Sequence, residues 1–321
     1  MKFKITPIAG DASSRKFYRL VFNKDRKIIV TTQKEKYKNL IAYSSINKFL
    51  RKNKLLAPKL YKHNYDKGII SIEDFGDLSF YKILKKRKQK LSTYKKLIDL
   101  LLKIQKIKPP KKVKNIIKGF HIIKKYSNKY LFKESNLFFD WYLPLFMDRK
   151  KASNIKIKSN KILLKIYNRL NFSNTCFVHR DFHVQNLMKV GNKIGIIDSQ
   201  DALIGNPVYD LVSLIDDVRI KTSVKLKKQL YNYYLKKSLK IYRINSKKFM
   251  EDFKILSVQR SLKIIGIFSR LSVRDKKKQY LKYIPYTWQL LEMRMDPDVF
   301  YELKKIFDKN IPQRFKNSFL K

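Results

Sequence analysis

Hydrophobic and polar positions follow one pattern before residue 76 and a different one after it. In the first part, short runs rich in β-branched and aromatic residues predict three strands, at 17–22, 28–31 and 69–72. Polar residues 23–26 separate the first two runs as a turn, which predicts a hairpin. Another extended run starts at 57–61, and apolar residues at helical spacing predict one helix at 37–53. The N-terminal part is therefore predicted to be β-rich with a single helix.

After residue 77 the spacing of apolar residues becomes helical. It predicts helices at 92–107, 122–145 and 161–170 and over most of 211–321. Two consecutive prolines, Pro109 and Pro110, end the first of these helices. A β-rich segment followed by a helical one predicts an α+β protein with two lobes, 1–76 and 77–321. A cleft between two such lobes is a natural place for a ligand.

Charge is the most unusual feature of the composition. The 321 residues contain 75 Lys and Arg against 25 Asp and Glu, a net charge of +50. One interpretation is a nucleic-acid or anionic-membrane partner. The other is compositional drift, because lysine far outnumbers arginine, glycine is scarce and the basic residues are spread along the chain. Nucleic-acid sites favour arginine for its bidentate fork, so we favour drift and do not expect a nucleic-acid partner.

The cysteine content excludes two features, a disulfide framework and a cysteine-based zinc site. Cys176 is the single cysteine, so the chain cannot form an internal disulfide framework or a cysteine-based zinc site.

The first thirty residues lack the apolar core of a signal peptide, and no run of eighteen uncharged apolar residues occurs. With 44% hydrophobic residues, the chain can bury a core. We therefore expect a cytoplasmic, monomeric protein with no membrane span.

One constellation carries recognisable chemistry. His179, Asp181 and Asn186 have the spacing H-x-D-x-x-x-x-N, and an apolar run after them ends in Asp198. Short apolar runs in this region predict strands, which lie at 177–178, 187–190 and 194–197. This spacing is the pattern of a kinase catalytic loop followed by a metal-binding aspartate.

Phosphoryl transfer explains these residue types. A carboxylate near the acceptor hydroxyl orients it and takes its proton, which is the role predicted for Asp181. Hard oxygen ligands hold the Mg²⁺ that bridges the ATP phosphates, and Asn186 and Asp198 supply such oxygens. His179 is expected to brace the loop rather than react.

Three positions of this constellation allow a second interpretation. Asp198 could serve only as a helix cap. His183 and Gln185 could contact a substrate, or they could pack within the loop.

Several segments resemble a known family. The segment from His179 to Ala202 is similar to the aminoglycoside phosphotransferase-like kinases, which include choline kinases. More narrowly, the chain resembles the bacterial anomeric kinases that phosphorylate N-acetylmuramate and N-acetylglucosamine at C1 during cell-wall recycling. The segments that carry this narrower similarity are 10–19, 73–77, 134–143, 197–211 and 259–275. The similarity therefore runs over nearly the whole chain.

The resemblance implies a protein-kinase-like fold, with a nucleotide-binding lobe at 1–76 and an acceptor-binding lobe at 77–321. It implies ATP and Mg²⁺ as cofactors and a small sugar as the acceptor. The residues implied to bind ATP are Ala12, Ser13, Ser14 and Arg15 over the phosphates and Glu73, Asp74 and Phe75 at the adenine. Asp210 would be a structural aspartate at the start of a helix, or simply its N-cap.

Acceptor-binding residues are the least readable part of the sequence. The polar candidates are His183, Gln185, Gln200, Asp201, Arg219, Arg270 and Glu134. Each of them could equally make a structural contact.

Two departures from the family pattern concern the phosphate site. Ser199 follows the metal aspartate where the family usually has phenylalanine, and residues 28–32 contain no lysine to grip the ATP phosphates. Four nearby basic residues could supply that charge: Arg15, Arg19, Lys34 and Lys36. The missing lysine does not by itself indicate an inactive enzyme.

Three functions are compatible with these patterns. The first is an anomeric kinase of N-acetylmuramate and N-acetylglucosamine. The second is a kinase of another sugar or of an amino alcohol or aminoglycoside, although a +50 chain repels cationic acceptors. The third is a non-catalytic nucleotide- or polyanion-binding module. We predict the first, because the narrower similarity is present towards both ends of the chain, at 10–19 and at 259–275. The complete set of Asp181, Asn186 and Asp198 argues against the third function but does not separate the first two.

Overall fold

An antiparallel sheet forms most of the N-terminal part of the chain. The computed structural model describes residues 3–8, 15–23, 25–33, 37–238 and 245–319. The five strands are β1 (Phe3–Ile8), β2 (Lys16–Phe22), β3 (Asp25–Thr31), β4 (Leu60–Asn64) and β5 (Ile69–Glu73), and the helix α1 (Lys38–Lys52) lies between β3 and β4 in sequence. Their order in the sheet is β1-β2-β3-β5-β4. The predicted hairpin, the predicted helix and the predicted strand at 69–72 are confirmed.

Alternation along the central strands explains why the sheet forms. Ile28 and Val30 of β3 pair with Ile72 and Ile70 of β5, and all four side chains are buried. Alternate residues of a strand point to the same face, so these side chains make one apolar surface. Leu40 of α1 packs in the same cluster. Burial of each such side chain contributes about 1.5–3 kcal/mol.

The described chain divides into two compact units. The first unit combines Met1–Lys124 with Cys176–Ile204, and the second combines Lys125–Thr175 with Gly205–Lys321. Besides the sheet and α1, the first unit contains α2 (Phe80–Lys86), α3 (Leu91–Gln105), β6 (Lys112–Lys114), β7 (Phe120–Ile122), β8 (Cys176–Val178), β9 (Leu187–Val190) and β10 (Lys193–Ile196). Strand β11 (Leu203–Gly205) pairs with β8 and lies where the first unit ends, at Ile204. The predicted division into a nucleotide-binding lobe at 1–76 and an acceptor-binding lobe at 77–321 stays a prediction.

The second unit is helical. Its helices are α4 (Asn128–Leu137), α5 (Arg149–Asn168), α6 (Val208–Ile215), α7 (Val224–Ser238), α8 (Ser246–Asp275), α9 (Ile284–Arg294), α10 (Pro297–Asn310) and α11 (Gln313–Lys316), with a π turn at Phe138–Tyr142 and 3₁₀ turns at Leu143–Leu145 and Lys278–Tyr283. Gly266 lets α8 approach the backbone at the end of α4, because a Cβ at Gly266 would lie 2.2 Å from the carbonyl carbon of Leu137. Phe138 and Trp288 pack nearby, with ring centroids 5.6 Å apart.

Two predicted helices differ from the observed ones. The prediction of a helix over 122–145 is wrong at both ends, because Phe120–Ile122 is a strand and α4 gives way to a π turn at Phe138. The helix predicted at 161–170 begins earlier, at Arg149, where the side chain of Asp148 accepts a hydrogen bond from the backbone N–H of Lys151. Polar residues in the first turns of α5 hid its start from the hydrophobic pattern. No helix in the described ranges has the length and apolarity that a bilayer crossing requires.

Candidate active site

The hairpin of β9 and β10 brings the two predicted metal ligands together. Its two-residue loop contains Gly191 at a φ of 55°, a conformation that favours glycine. Asn186 directly precedes β9, and Asp198 is the second residue after β10. The backbone N–H of Ile197 donates to the carbonyl oxygen of Asn186 over 3.0 Å. The open end of the hairpin therefore holds both side chains.

The loop before the hairpin is closed by its own hydrogen bonds. The carbonyl oxygen of Asp181 accepts from the backbone N–H of His183 at 2.9 Å and from Nδ2 of Asn186 at 3.1 Å. His179 is 1% exposed, and its Nε2 lies 3.0 Å from the carbonyl oxygen of Ile197. Because a carbonyl only accepts, Nε2 carries the proton. His179 thus ties the loop to the strand that leads to Asp198, as expected of a bracing residue.

Two residues of the site have left-handed backbone conformations. Arg180 has a φ of 72° and Asp198 a φ of 65°, which non-glycine residues adopt uncommonly and often at functional sites. The guanidinium of Arg180 donates to the carbonyl oxygen of Asp201 over 3.3 Å. No helix begins at Asp198, which is followed by a turn and then by β11. The interpretation of Asp198 as a helix cap alone is therefore wrong.

A polar cluster surrounds Asp198. One nitrogen of the Arg15 guanidinium donates to Oδ1 of Asp198, and the other donates to Oε1 of Gln200 over 2.9 Å. Nε2 of Gln200 donates in turn to the carboxylate of Asp201 over 2.8 Å. The side chain of Arg15 is 8% exposed, whereas that of Asp198 is 33% exposed. The carboxylate therefore remains accessible to a ligand while the arginine beside it is nearly buried.

Helix α1 supports this cluster from one side. The guanidinium carbon of Arg15 lies 5.5 Å from the ring centroid of Phe17 and 5.9 Å from that of Tyr43, which is in cation–π range. Burial raises the pKa of Tyr43 to about 12, so its phenol stays neutral. Ser199 donates to Oδ1 of Asn47 over 2.7 Å and is fully buried. Ser199 therefore packs beneath the site, as expected where the family usually has phenylalanine.

Arg19 forms a separate ion-pair cluster at the end of β5. Its guanidinium donates to Asp74 at 2.6 and 3.1 Å and to Asp77 at 2.9 and 3.0 Å. Burial alone would raise the pKa of the Asp74 carboxyl. Hydrogen bonds from Arg19 and from the backbone N–H of Gly76 lower it by more, so the pKa is lower than usual. The hydrogen bonds from Arg19 to Asp74 and Asp77 raise the pKa of the Arg19 guanidinium, although burial acts in the opposite direction. All four donated bonds of Arg19 go to these two carboxylates.

The rest of the predicted adenine segment is fixed by a hydrogen bond and an ion pair at Glu73 and by packing at Phe75. Oε2 of Glu73 accepts from the backbone N–H of Lys59 at 3.1 Å and lies 3.3 Å from the Arg51 guanidinium. The ring of Phe75 lies against Gly195, where a Cβ would come within 2.6 Å of two ring carbons. Glycine in β10 is therefore required for Phe75 to lie where it does.

A cavity of about 430 Å³ opens among these groups. Its apolar lining comes from the sheet, from α1 and from the hairpin, and consists of Ile8, Phe17, Ile28, Tyr43, Pro58, Ile72, Phe75, Met188 and Ile197. Its polar lining consists of Arg19, Glu73, Asp74, Gly76, Asp77, Ser79, Lys82, Gln185, Asn186 and Asp198. Small-molecule sites are commonly cavities of this size with apolar walls and a few convergent polar groups.

The donor set at the polar end fits Mg²⁺. No group of three His, Cys, Asp or Glu residues that could hold a metal occurs among the described residues. Mg²⁺, however, keeps several waters and takes one or two protein oxygens together with substrate phosphates. Because Nδ2 of Asn186 is bonded to the carbonyl of Asp181, the other amide atom, Oδ1, is the one that Asn186 can offer. Asn186 and Asp198, both lining the cavity, could therefore hold the ion with a nucleotide.

The structure describes only part of the predicted phosphate site. Ala12, Ser13 and Ser14 lie outside the described residues, as do Lys34 and Lys36. Arg15 is described, and it lies beside Asp198.

The candidate acceptor residues are divided between the two units. His183 is buried in the loop, Gln185 lines the cavity, and Gln200 and Asp201 belong to the cluster around Arg15. Arg219, Arg270 and Glu134 belong to the second unit.

Local contacts of those second-unit residues are structural in character. Arg219 lies 3.7 Å from Asp217, and Glu134 lies 3.1 Å from Lys263 in the interior. Burial lowers the pKa of Arg270. Asp210 lies inside the first turn of α6, after the N-cap residue Pro207, so its interpretation as a plain N-cap is wrong. A role in acceptor binding stays a prediction for Arg219, Arg270 and Glu134.

Sequence reasoning missed three contributors to the site. Tyr43 and Asn47 support it from α1, and Lys82 of α2 lines the cavity. Helical spacing placed Tyr43 and Asn47 on a helix but could not indicate which face meets the loop of Ser199. Lys82 carried no signal, because lysine is abundant along the whole chain.

Comparison with known proteins identifies a family and two named relatives. Residues 4–243 match the Phosphotransferase enzyme family. An N-acetylmuramate/N-acetylglucosamine kinase of Caulobacter vibrioides is 27% identical over 263 residues, which cover 80% of this chain and 71% of that protein. The protein of the same name from Neisseria meningitidis is 25% identical over 286 residues, covering 88% of this chain and 83% of that protein.

A solved structure shares the fold. The ADP-bound aminoglycoside phosphotransferase APH(2'')-Ib matches with a TM-score of 0.59 at 14% identity, covering 90% of this chain and 92% of that chain. At that identity the likeness shows the fold alone, and it confirms the predicted protein-kinase-like fold. Because the family match at residues 4–243 spans well over half of the sequence, the chain belongs to the phosphotransferase enzyme family.

Proposed function

We propose that this chain transfers the γ-phosphoryl group of ATP to the anomeric hydroxyl of N-acetylmuramate or N-acetylglucosamine. One observation carries the proposal. Asn186 and Asp198 lie at the same end of a hairpin, are linked through Ile197 and both line the cavity, while the backbone carbonyl oxygen of Asp181 accepts a hydrogen bond from the side chain of Asn186. This arrangement supports the proposal because phosphoryl transfer needs a proton acceptor and oxygen ligands for a metal ion, the roles proposed here for Asp181 and for Asn186 and Asp198.

The cavity supports the nucleotide part of the proposal. Apolar side chains such as Ile28, Ile72 and Met188 offer flat surfaces for a purine base, and the polar end lies at Asn186 and Asp198. A bound Mg²⁺ would neutralise phosphate charge and align the γ-phosphoryl group. The residues of the chain would bind the base, orient the phosphates and exclude water from the reacting oxygen.

Asp181 is the proposed base. Its backbone is fixed by two hydrogen bonds to its carbonyl oxygen, while its side chain is partly exposed and is not among the described residues that line the cavity. An acceptor hydroxyl beside it would donate its proton to the Asp181 carboxylate. As the sugar oxygen bonds to the γ-phosphorus, the bond from that phosphorus to the bridging oxygen breaks, and ADP leaves with the electron pair.

The relatives support the choice of acceptor. Proteins named N-acetylmuramate/N-acetylglucosamine kinase match along 80% and 88% of this chain. The net charge of +50 favours anionic partners, and N-acetylmuramate and ATP are both anions. Cationic acceptors such as choline or aminoglycosides would be repelled by the same field.

An acceptor panel tests the proposal. Purified protein with ATP and Mg²⁺ is incubated with N-acetylmuramate, N-acetylglucosamine, choline or kanamycin, and ADP release is measured. The matched controls are the methyl glycosides of the two amino sugars, which keep every group except the free anomeric hydroxyl. We expect ADP release with the free amino sugars and none above background with the glycosides. Equal release with a sugar and its glycoside, or turnover of choline or kanamycin alone, would refute the proposed acceptor.

A binding experiment tests the nucleotide site separately from the acceptor. We expect Asp198→Ala to abolish the Mg²⁺ dependence of ADP binding in calorimetry, because the variant removes the carboxylate at the polar end of the cavity. An unchanged Mg²⁺ dependence would show that Asp198 is not a metal ligand.

A further inference from the structure

Arg15 is a charged residue whose side chain is nearly buried beside the candidate metal ligand Asp198. Two rings pack against its guanidinium, and two of the guanidinium nitrogens donate hydrogen bonds to Asp198 and Gln200. Phe17, Tyr43 and Asp198, three of the groups that it contacts, line the cavity. A planar guanidinium with several fixed donors suits carboxylate and phosphate oxygens equally well.

The neighbouring cations are less suited to a bound phosphate. The guanidinium of Arg19 makes four hydrogen bonds to Asp74 and Asp77, so a phosphate could recruit it only by breaking them. Lys82 lines the cavity but is exposed, so solvent and salt screen its attraction for a phosphate. Arg15 differs from both because its carboxylate partner is itself a candidate metal ligand.

Two cations then compete for one carboxylate. While Arg15 pairs with Asp198, the two charges balance, and Oδ1 of the carboxylate is occupied by a hydrogen bond from Arg15. A divalent ion at Asp198 would put further positive charge next to a nearly buried guanidinium. Such an arrangement is unfavourable unless an anion arrives with the ion. The phosphates of a nucleotide are such anions, and they accept the same guanidinium hydrogen bonds.

From this geometry we infer that Arg15 holds Asp198 until metal and nucleotide bind together, and that its guanidinium then passes from Asp198 to the nucleotide phosphates. The inference deepens the proposed function and rests on it for the nucleotide, but not for the acceptor. Arg15 would act as a positioning and phosphate-binding cation in place of a strand lysine. It would also couple the binding of metal and nucleotide.

Binding of Mn²⁺ alone and of ADP with Mg²⁺ tests the inference in the full chain. Mn²⁺ binding is followed by electron paramagnetic resonance, and ADP binding in excess Mg²⁺ by calorimetry. The variant Arg15→Met keeps an apolar chain of similar length between Phe17 and Tyr43 but removes the charge. We expect Mn²⁺ alone to bind about tenfold more tightly, and ADP with Mg²⁺ about tenfold more weakly, than in the unmodified chain.

The opposite signs of these two changes distinguish the inference from a structural role. A collapsed site would weaken both affinities, and an irrelevant residue would change neither. Either result overturns the inference, as does a tighter Mn²⁺ site with unchanged ADP affinity. Arg15→Lys keeps the charge without the fork, and we expect it to restore part of the ADP affinity. No restoration would show that packing, not charge, explains the loss.

A control variant accounts for the loss of one charge from a strongly basic chain. Arg169→Met removes an arginine from a half-exposed ion pair with Glu251 in the second unit. We expect both affinities to match those of the unmodified chain. If Arg169→Met reproduced the changes of Arg15→Met, general electrostatics would explain them and the inference would fall. The result is independent of the acceptor, because no sugar is present.

Discussion

The Arg15–Asp198 pair of the first unit and the Arg294–Asp216 pair of the second contain the same side chains in different surroundings. Asp216 is 3% exposed and accepts hydrogen bonds from Arg294 at 3.0 and 3.1 Å, from Lys227 at 3.0 Å and from Ser257 at 2.7 Å. Asp198 is 33% exposed, has a left-handed backbone and lines a cavity.

The difference separates a carboxylate that stabilises a fold from one that serves a ligand. A buried carboxylate surrounded by matched donors has no oxygen left for a substrate, and its value lies in folding. A carboxylate that keeps solvent access next to a buried cation can exchange that cation for another. Substitutions in the two units should therefore change different measurements, and the effects below run from the largest to the smallest.

The largest effect is expected on turnover, from Asp181→Asn. An amide has the shape of the carboxylate but cannot take the acceptor proton, so turnover should fall by about 10²–10⁴-fold. Calorimetry should give an ADP affinity close to that of the unmodified chain. Asp308→Asn, in an exposed helical pair with Lys304, is the control and should leave both values unchanged. Near-normal turnover of Asp181→Asn would remove Asp181 from the reaction.

The largest effect on stability is expected in the second unit, from Asp216→Asn. The variant leaves Lys227 and Arg294 without the carboxylate that neutralises them, which typically costs about 3–5 kcal/mol. Urea unfolding measures this loss. A loss below about 1 kcal/mol would mean that Asp216 does not stabilise the second unit as its contacts indicate.

Two glycines sharpen the comparison through packing. Gly266→Ala puts a Cβ 2.2 Å from backbone in the second unit, and Gly195→Ala puts one 2.6 Å from the Phe75 ring in the first. We expect each to destabilise the chain by about 1–3 kcal/mol, with the larger loss at Gly266 because backbone yields less than a side chain. Only Gly195→Ala should also weaken ADP binding, because Phe75 lines the cavity.

Gly119→Ala is the matched control for these glycines. The nearest atom to its Cβ would be Nδ2 of Asn115, at 3.1 Å, which is a longer approach than at Gly266 or Gly195 and needs a shift of only a few tenths of an ångström. Unfolding and ADP binding should both stay close to those of the unmodified chain. Weaker ADP binding by Gly266→Ala, measured where that variant is fully folded, would contradict the separation of the two units.

The smallest effect concerns the pH dependence of stability. Burial alone would raise the pKa of Asp216, but the charges of Lys227 and Arg294 hold it well below its usual range. A lowered pKa in the folded state stabilises the fold above the unfolded-state pKa of about 3.9, and this contribution is lost as the pH falls through the acid range. Asp216→Asn should therefore flatten the loss of stability between about pH 5 and pH 2. Identical slopes with and without Asp216 would contradict this assignment.

The sequence predicted the fold best where side-chain burial alternates regularly. Strands β2, β3 and β5 followed from their β-branched and aromatic residues. Strand β1 was not predicted, because it lies at the sheet edge, where Phe3 and Ile5 are exposed. The region 122–145 misled because apolar residues at helical spacing also suit a strand, a short helix and a π turn in succession.

The predictable part of the site was the part that is local in sequence. His179, Asp181, Asn186 and Asp198 lie within twenty residues, so their spacing alone indicated a hairpin with its polar residues at one end. The pair of Arg15 and Asp198 joins residues 183 positions apart, and only the folded chain shows it. Spacing also could not distinguish Arg15 from Arg19, because their roles differ through the carboxylates that each of them meets.

The position of the transferred phosphate tests the central claim most directly. Phosphorus NMR of the product formed from N-acetylglucosamine, ATP and Mg²⁺ distinguishes a phosphate on the anomeric carbon from one on another carbon through its coupling to the anomeric proton. We predict an anomeric phosphate with the unmodified chain and none with Asp181→Asn. A phosphate on any other carbon, or the same product from Asp181→Asn, would contradict the proposed function.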